Sequence, residues 1–180
     1  MTDRTMEELM ELLDPYLDNF DQIGRSGVST YRRYPPEFLI EHDARAQASC
    51  IYCHMNFEAE RLLAGRKGIV PKDIRGLKIW LIGDHSVIRL KRMDEDGHTR
   101  NYPTKQARDY DHGVQFPELP PPAARLSVGY FLDPTQTQVI RVQIARPIGK
   151  RINWCAAIIP ADKQVPGAKR WYDVTRQKGF

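Results

Sequence analysis

The string Cys50-Ile-Tyr-Cys53-His54 places two thiols and an imidazole within one helical turn. Read literally, it is the attachment string for c-type haem, a chemistry that requires export. A zinc site built from Cys50, Cys53, His54 and Cys155 needs a second closely spaced pair to complete it, and the sequence offers none. Two packed thiols are the plainer reading, so neither a metal nor a cofactor is expected. His54, Glu58 and Arg61 recur at i, i+4 and i+7, which is one face of a helix. A carboxylate one turn away can orient or charge an imidazole, and an imidazole titrates where general acid–base work is done. The alternative is a solvated helix stripe worth a few tenths of a kcal/mol, on the order of one i,i+4 contact.

A second set of polar residues alternates with apolar ones. Arg89 and Lys91 oppose Ile88 and Leu90 in 86–92, Arg141 and Gln143 oppose Ile140, Val142 and Ile144 in 138–145, and Asn153 opposes Ile152 and Trp154 in 152–159. Alternate side chains point to opposite faces of a sheet. One face is therefore expected to seal a core while the other shows Arg89, Lys91, Arg141 and Gln143 to solvent, with His85 at the strand edge. Cleavage of RNA without metal needs a base for the 2′-hydroxyl, cations for the phosphate and an acid for the leaving oxygen. Arg and Lys suit the middle role. The segment 97–110 gathers His98, Arg100, Asn101, Tyr102, Thr104, Lys105, Gln106 and Arg108, and Tyr31 to Tyr34 interleaves Arg32 and Arg33 with aromatic rings. Tyrosine can stack a base and the cations can hold phosphates. Solvated loops and sheet faces carry the same residue types for solubility.

The elements that would position these groups follow from periodicity. Residues 5–14 read as a helix with a capping box, Thr5 and Glu8. Gly24, Gly27 and Pro35–Pro36 mark 24–36 as loop. Apolar residues at spacings of three and four predict one long helix over 36–64, followed by a basic linker at 66–76. Strands are expected at 77–82, 86–92, 126–132, 138–145 and 152–159, with a long irregular loop at 94–124. Loops of that length are usually functional or mobile.

The expected class is α+β: N-terminal helices, including one long helix packed on a four- to five-stranded antiparallel β-meander. The organisation is an N-terminal helical annex (1–30), an α+β domain (31–160) and a basic tail (161–180). A chain of 180 residues can bury a core without disulfides. A net charge of +4 tilts the expected partners toward nucleic acid without deciding them. No run is apolar enough to span a membrane, and the acidic, amphipathic start MTDRTMEELMELL is unlike a signal peptide, so a cytoplasmic protein is expected. The sequence contains no P-loop, G-x-G-x-x-G, nucleophile elbow or H-E-x-x-H, which argues against nucleotide-driven motors, Rossmann oxidoreductases and common hydrolases.

Three segments carry a resemblance: DEDGHTRNYPTKQ (94–106), PPPAARLSVGYFLD (120–133) and RVQIARPIGKRINW (141–154). Together they resemble small bacterial proteins encoded beside a regulator that joins an Xre-type helix-turn-helix to an ImmA-type metallopeptidase domain, the Rosmer-type toxin–antitoxin arrangement. The resemblance implies a toxin whose partner is a cognate antitoxin of that regulator type, and it carries over no catalytic residue. The expected function is metal-independent, endoribonuclease-like action on RNA or another polyanion. His54 with Glu58 and Arg61, or His85, would supply acid–base groups. Arg89, Lys91 and Arg141 would hold phosphate, with Arg32, Arg33, Arg100, Tyr102, Lys105 and Gln143 as further contacts. A non-enzymatic binding module, or a small-molecule enzyme with a pocket between long helix and sheet, remain the alternatives.

Overall fold

The computed structural model describes residues 3–99, 104–120 and 123–176. Helices α1 (Met6–Leu13), α2 (Leu17–Arg32), α3 (Pro36–Glu41) and α4 (Ala44–Leu63) precede strands β1 (Ile69–Ile74), β2 (Leu77–Ile82) and β3 (Ser86–Arg92). A short helix α5 (Lys105–Asp111) then leads to β4 (Ala124–Leu132), β5 (Val139–Ile148), β6 (Arg151–Ile158) and β7 (Trp171–Asp173). The class is α+β as expected, but the sheet has seven strands in sequence order rather than four or five.

The capping box forms as read: the Glu8 amide donates to Thr5 Oγ1, and the Thr5 amide to the Glu8 carboxylate. The expected loop at 24–36 is largely helix, because Gly24 and Gly27 are crossing points rather than breakers. A Cβ at Gly24 would lie 2.7 Å from Val142 Cγ2 on β5, and one at Gly27 would lie 2.5 Å from Met55 Cγ on α4. Their bareness lets α2 approach both neighbours closely. The single helix over 36–64 is broken at His42–Asp43, where Asp43 caps α4 by accepting from the Ala46 amide. The 66–76 linker holds edge strand β1, and Pro71 is tolerated there because β1 pairs on one side only.

The sheet is not a pure meander. β3 and β4 run parallel over Ser86–Arg92 and Ala124–Tyr130, and all other neighbours are antiparallel. Parallel neighbours need a crossover rather than a hairpin. The 93–123 segment is that crossover, and α5 is its helix. The expected tail contributes β7 to the far edge.

Three layers result. α1, α2 and α4 cover one sheet face, where Leu9, Phe20, Ile51 and Met55 meet Ile88, Val128, Val142 and Ile144 in the main core. The residues expected as an annex thus share the core of the sheet. The crossover covers part of the other face, where Tyr110 and Leu119 pack on Ile79, Leu81 and Val87. That face was expected to be open. Instead Arg89 is 1% exposed, and Ser127 and Gln143 are buried beside it.

Gly129 marks the tightest point of the parallel pair. A Cβ there would fall on the Lys91 carbonyl oxygen and within 3.0 Å of Met93 Cγ. Gly129→Ala is expected to lower the urea midpoint by the equivalent of roughly 2 kcal/mol or more, since backbone rather than a flexible side chain must yield. An unchanged midpoint would mean that β3 and β4 lie farther apart than described.

Candidate functional site

Arg89 organises the second face of the sheet. It stands opposite Ser127 in the parallel register, and its Nε donates to Ser127 Oγ at 2.8 Å. Its Nη2 donates to Asp111 Oδ1 at 2.5 Å and to Thr99 Oγ1 at 3.3 Å. The guanidinium carbon lies 4.8 Å from the centre of the Tyr110 ring. Nη1 is buried and has no hydrogen-bond partner among the described residues. A buried cation demands such partners, because its desolvation cost is otherwise several kcal/mol, on the order set by ion transfer.

The sequence places these partners together through α5. Thr104 caps the helix by accepting from the Ala107 amide. One turn later Tyr110 points into the sheet, its hydroxyl 2.8 Å from the Val87 carbonyl and 2.9 Å from that of Leu126. Burial pushes the Tyr110 hydroxyl far above its usual range, so it stays protonated as a donor. Asp111 follows on the side facing Arg89. Burial raises its carboxyl, opposed by Arg89, His112 and Lys91.

Lys91 sits two residues along β3. Burial, then the nearby Arg89 charge, lowers its ammonium to about 8, with Asp111 opposing. Its Nζ lies 5.5 Å from the centre of the Tyr52 ring on α4.

Arg89 and Asp111 form part of the wall of a pocket of about 320 Å³. Around it stand His98, Arg108, His112, Lys150 and Arg151. Four cationic side chains therefore face one carboxylate. Lys150 comes from the β5–β6 turn and Arg151 from the start of β6; in that turn Gly149 adopts φ +62° and its amide donates to the Asp111 carbonyl at 2.6 Å. That bond pins the turn to the end of α5. Arg108, Lys150 and Arg151 are exposed, with no ion pair or hydrogen bond from their side chains to a described residue. His112 Nδ1 lies 2.8 Å from the Arg108 carbonyl. A carbonyl only accepts, so Nδ1 carries the hydrogen and Nε2 is left to exchange a proton.

Two further cavities continue this pocket into a groove. One shares Asp111, His112 and Pro147 and adds Arg125 and Arg146. The other shares His98, Lys150, Arg151 and Ile152 and adds Arg176. The cations at the ends are engaged. Arg125 donates to the carbonyls of Asp109, Tyr110 and Val114. Arg146 pairs with Asp3, and Arg176 with Glu95 and Asp96.

The remaining expected site residues fall elsewhere or take other roles. His54 and Glu58 do not pair with each other. The His54 ring meets the Tyr34 hydroxyl at 2.7 Å, and Glu58 accepts from Gln22 at 2.8 Å and Arg61 at 2.6 Å. The Arg61 bonds hold the Glu58 carboxyl below its usual range against burial. His85 contacts Ser86 Oγ at 2.8 Å, and burial lowers its pKa. Arg89, Lys91, Arg141 and Gln143 share one face as read, yet they are not a free surface. Arg141 donates to Gln143 and to the Glu95 carbonyl, while Gln143 donates to the Asp94 carbonyl, so both clamp the start of the crossover. Arg32 and Arg33 are exposed at the end of α2, and Arg33 donates to Thr30 Oγ1. Lys105 begins α5 and lines a separate cavity with Ile74 and Glu118. Arg100 and Tyr102 lie outside the described residues.

Sequence reasoning missed Asp111, His112, Lys150 and Arg151. The Thr104 cap with its following helical turn, and the Gly149–Lys150 turn, were the available signals. Among the described residues, no group of three His, Cys, Asp or Glu side chains could hold a metal ion, and no helix is long and apolar enough to cross a membrane. No protein-family model, curated protein or solved structure matches the chain.

Two outcomes test the energetics of this site. Asp111→Asn leaves the Arg89 charge poorly compensated and is expected to cost about 3 kcal/mol, whereas replacing both residues with apolar ones recovers most of that loss in urea titrations. For Lys91 the linkage runs upward. Between about 8, its value in the fold, and the ordinary lysine range, the unfolded chain holds a proton that the folded chain lacks, so this group's contribution to stability rises with pH. Lys91→Met is therefore expected to exceed the parent in stability at neutral pH. Paired urea midpoints should show that advantage shrinking from about pH 8 to 10. A constant gap would contradict the lowered value.

Proposed function

We propose that the chain acts on nucleic acid, seating an RNA phosphate in the pocket beside α5 and cleaving the adjacent bond without metal. The observation that carries this reading is the pocket itself. Exposed Arg108, Lys150 and Arg151 stand around it, buried Arg89 forms part of its wall, and one imidazole with a fixed tautomer faces the same space. Guanidinium groups suit phosphate by shape as well as charge. The groove extending on both sides suits a strand rather than a lone ion.

In this reading His112 Nε2 removes the proton of a 2′-hydroxyl. The freed oxygen attacks the adjacent phosphorus, and the bond from phosphorus to the 5′-oxygen breaks. His98, on the same pocket, returns a proton to the leaving 5′-oxygen. A 2′,3′-cyclic phosphate and a 5′-hydroxyl result. Arg108, Lys150 and Arg151 balance the charge that gathers on the phosphorus oxygens. The resemblance, carried by 94–106, 120–133 and 141–154, adds the setting: a toxin held inactive by a cognate antitoxin protein.

The test is cleavage of single-stranded RNA by the purified chain in excess chelator. His112→Ala is expected to reduce the rate by about 10²–10⁴-fold. Arg108→Glu with Lys150→Glu and Arg151→Glu is expected to abolish binding. Neutralising any one of these three cations should flatten the dependence of log K on log salt by about 0.7. Binding without cleavage, unaffected by His112→Ala, would leave a nucleic-acid-binding module. Unaltered binding by the triple variant would remove the site.

A further inference from the structure

Away from the α5 groove, a cleft of about 470 Å³ opens between α4 and the β1–β2 hairpin. Its cause is a local splay. β2 and β3 pair only over Trp80–Ile82 and Ser86–Ile88, although both strands run farther. Below Trp80, residues Leu77–Ile79 stay with β1 alone, and the hairpin parts from the neighbouring strand.

We infer that this cleft binds a neutral, planar heteroaromatic molecule of purine size. The volume lies within the range of small-molecule sites. Its walls carry rings from two elements: Phe57 exposed and Tyr52 half-buried on α4, and on β2 the edge of Trp80, which is otherwise packed in the core. A flat ring laid against Phe57 and Tyr52 buries one of its faces on aromatic surface. Phe57 is 73% exposed although its helix neighbours Glu58 and Ala59 are buried, so a large ring faces the cleft uncovered. The edge is polar. Asn56 Nδ2 donates to the Tyr52 carbonyl, which leaves its Oδ1 as an acceptor for a ring N–H. The charged lining is balanced, Lys72 and Lys78 against Glu60 and Asp73. The α5 groove, by contrast, carries a cationic excess. Balanced charge disfavours a phosphate, and directed polar groups disfavour a plain hydrocarbon. The inference does not depend on the α5 groove, because the two sites share no lining residue.

Cys53 is exposed on this cleft, Cys50 is half-buried outside it and Cys155 is buried, so iodoacetamide alkylation followed at Cys53 by peptide mass spectrometry, in a Cys50→Ser background, reads occupancy. The probes are adenine, indole and AMP, with the Trp80 indole N–H signal followed in parallel by ¹⁵N NMR. Adenine is expected to shift the Trp80 signal saturably and to slow Cys53 alkylation by about the factor 1 + [L]/Kd. Phe57→Ser removes an exposed ring without opening the core and is expected to abolish both effects. The Arg108, Lys150 and Arg151 triple variant should retain them, which separates this site from the groove. Three results would overturn the inference: no response to adenine or indole at millimolar concentration, an undiminished response in Phe57→Ser, or tighter binding of AMP than of adenine.

Discussion

A guanidinium that is 1% exposed on a β-strand cannot stand alone. Arg89 is sealed beneath the crossover, and its contacts to Ser127, Asp111, Thr99 and the Tyr110 ring tie two strands and one helix to a single side chain. Burying that charge is favourable only if α5 docks where it does, because Asp111 supplies the opposite charge and Tyr110 the ring. Arginine is suited to this position in a way lysine is not. Its fork serves a hydroxyl, a carboxylate and an aromatic face at once, whereas an ammonium is a point charge that prefers water.

From that constraint the groove follows. Parallel pairing of β3 and β4 forces a long connection, and the connection lays α5 across the polar face. The cations that alternation assigns to that face then become fasteners. Arg89 holds α5, while Arg141 and Gln143 hold the 94–97 turn. The cations left available come from the borders of the covered area, Arg108 on the helix, Lys150 in the β5–β6 turn and Arg151 at the start of β6. The Gly149 amide joins these borders by its bond to the Asp111 carbonyl.

Local signals in the sequence were legible where local physics decides the outcome. The Thr5 capping box, the strands from 77 to 159 and the grouping of Arg89, Lys91, Arg141 and Gln143 on one face all follow from periodicity and capping. What was not legible depends on partners distant in sequence. Gly24 and Gly27 look like breakers until α4 and β5 are known to press against them. Asp111 and His112 carry no signal of their own, and only the crossover brings them beside Arg89, 22 residues earlier. The His54–Glu58 pairing failed because two other groups reached Glu58 first, Gln22 from α2 and Arg61 on the same helix.

The electrostatics of the covered face bear on what the pocket favours. Burial, and then the Arg89 charge two residues away, lowers the Lys91 ammonium to about 8. Asp111 offsets this only in part, since burial raises its own carboxyl. A purely structural pair would need neither the second cation nor the three cations around the pocket that have no partner among the described residues. In the proposed reading a phosphate in the pocket meets Arg108, Lys150 and Arg151, and because these side chains are exposed, that attraction is screened by salt. The same charges repel a cationic ligand and gain nothing from a neutral one. The cleft beside α4 differs, with balanced lining charges and one uncovered ring, Phe57.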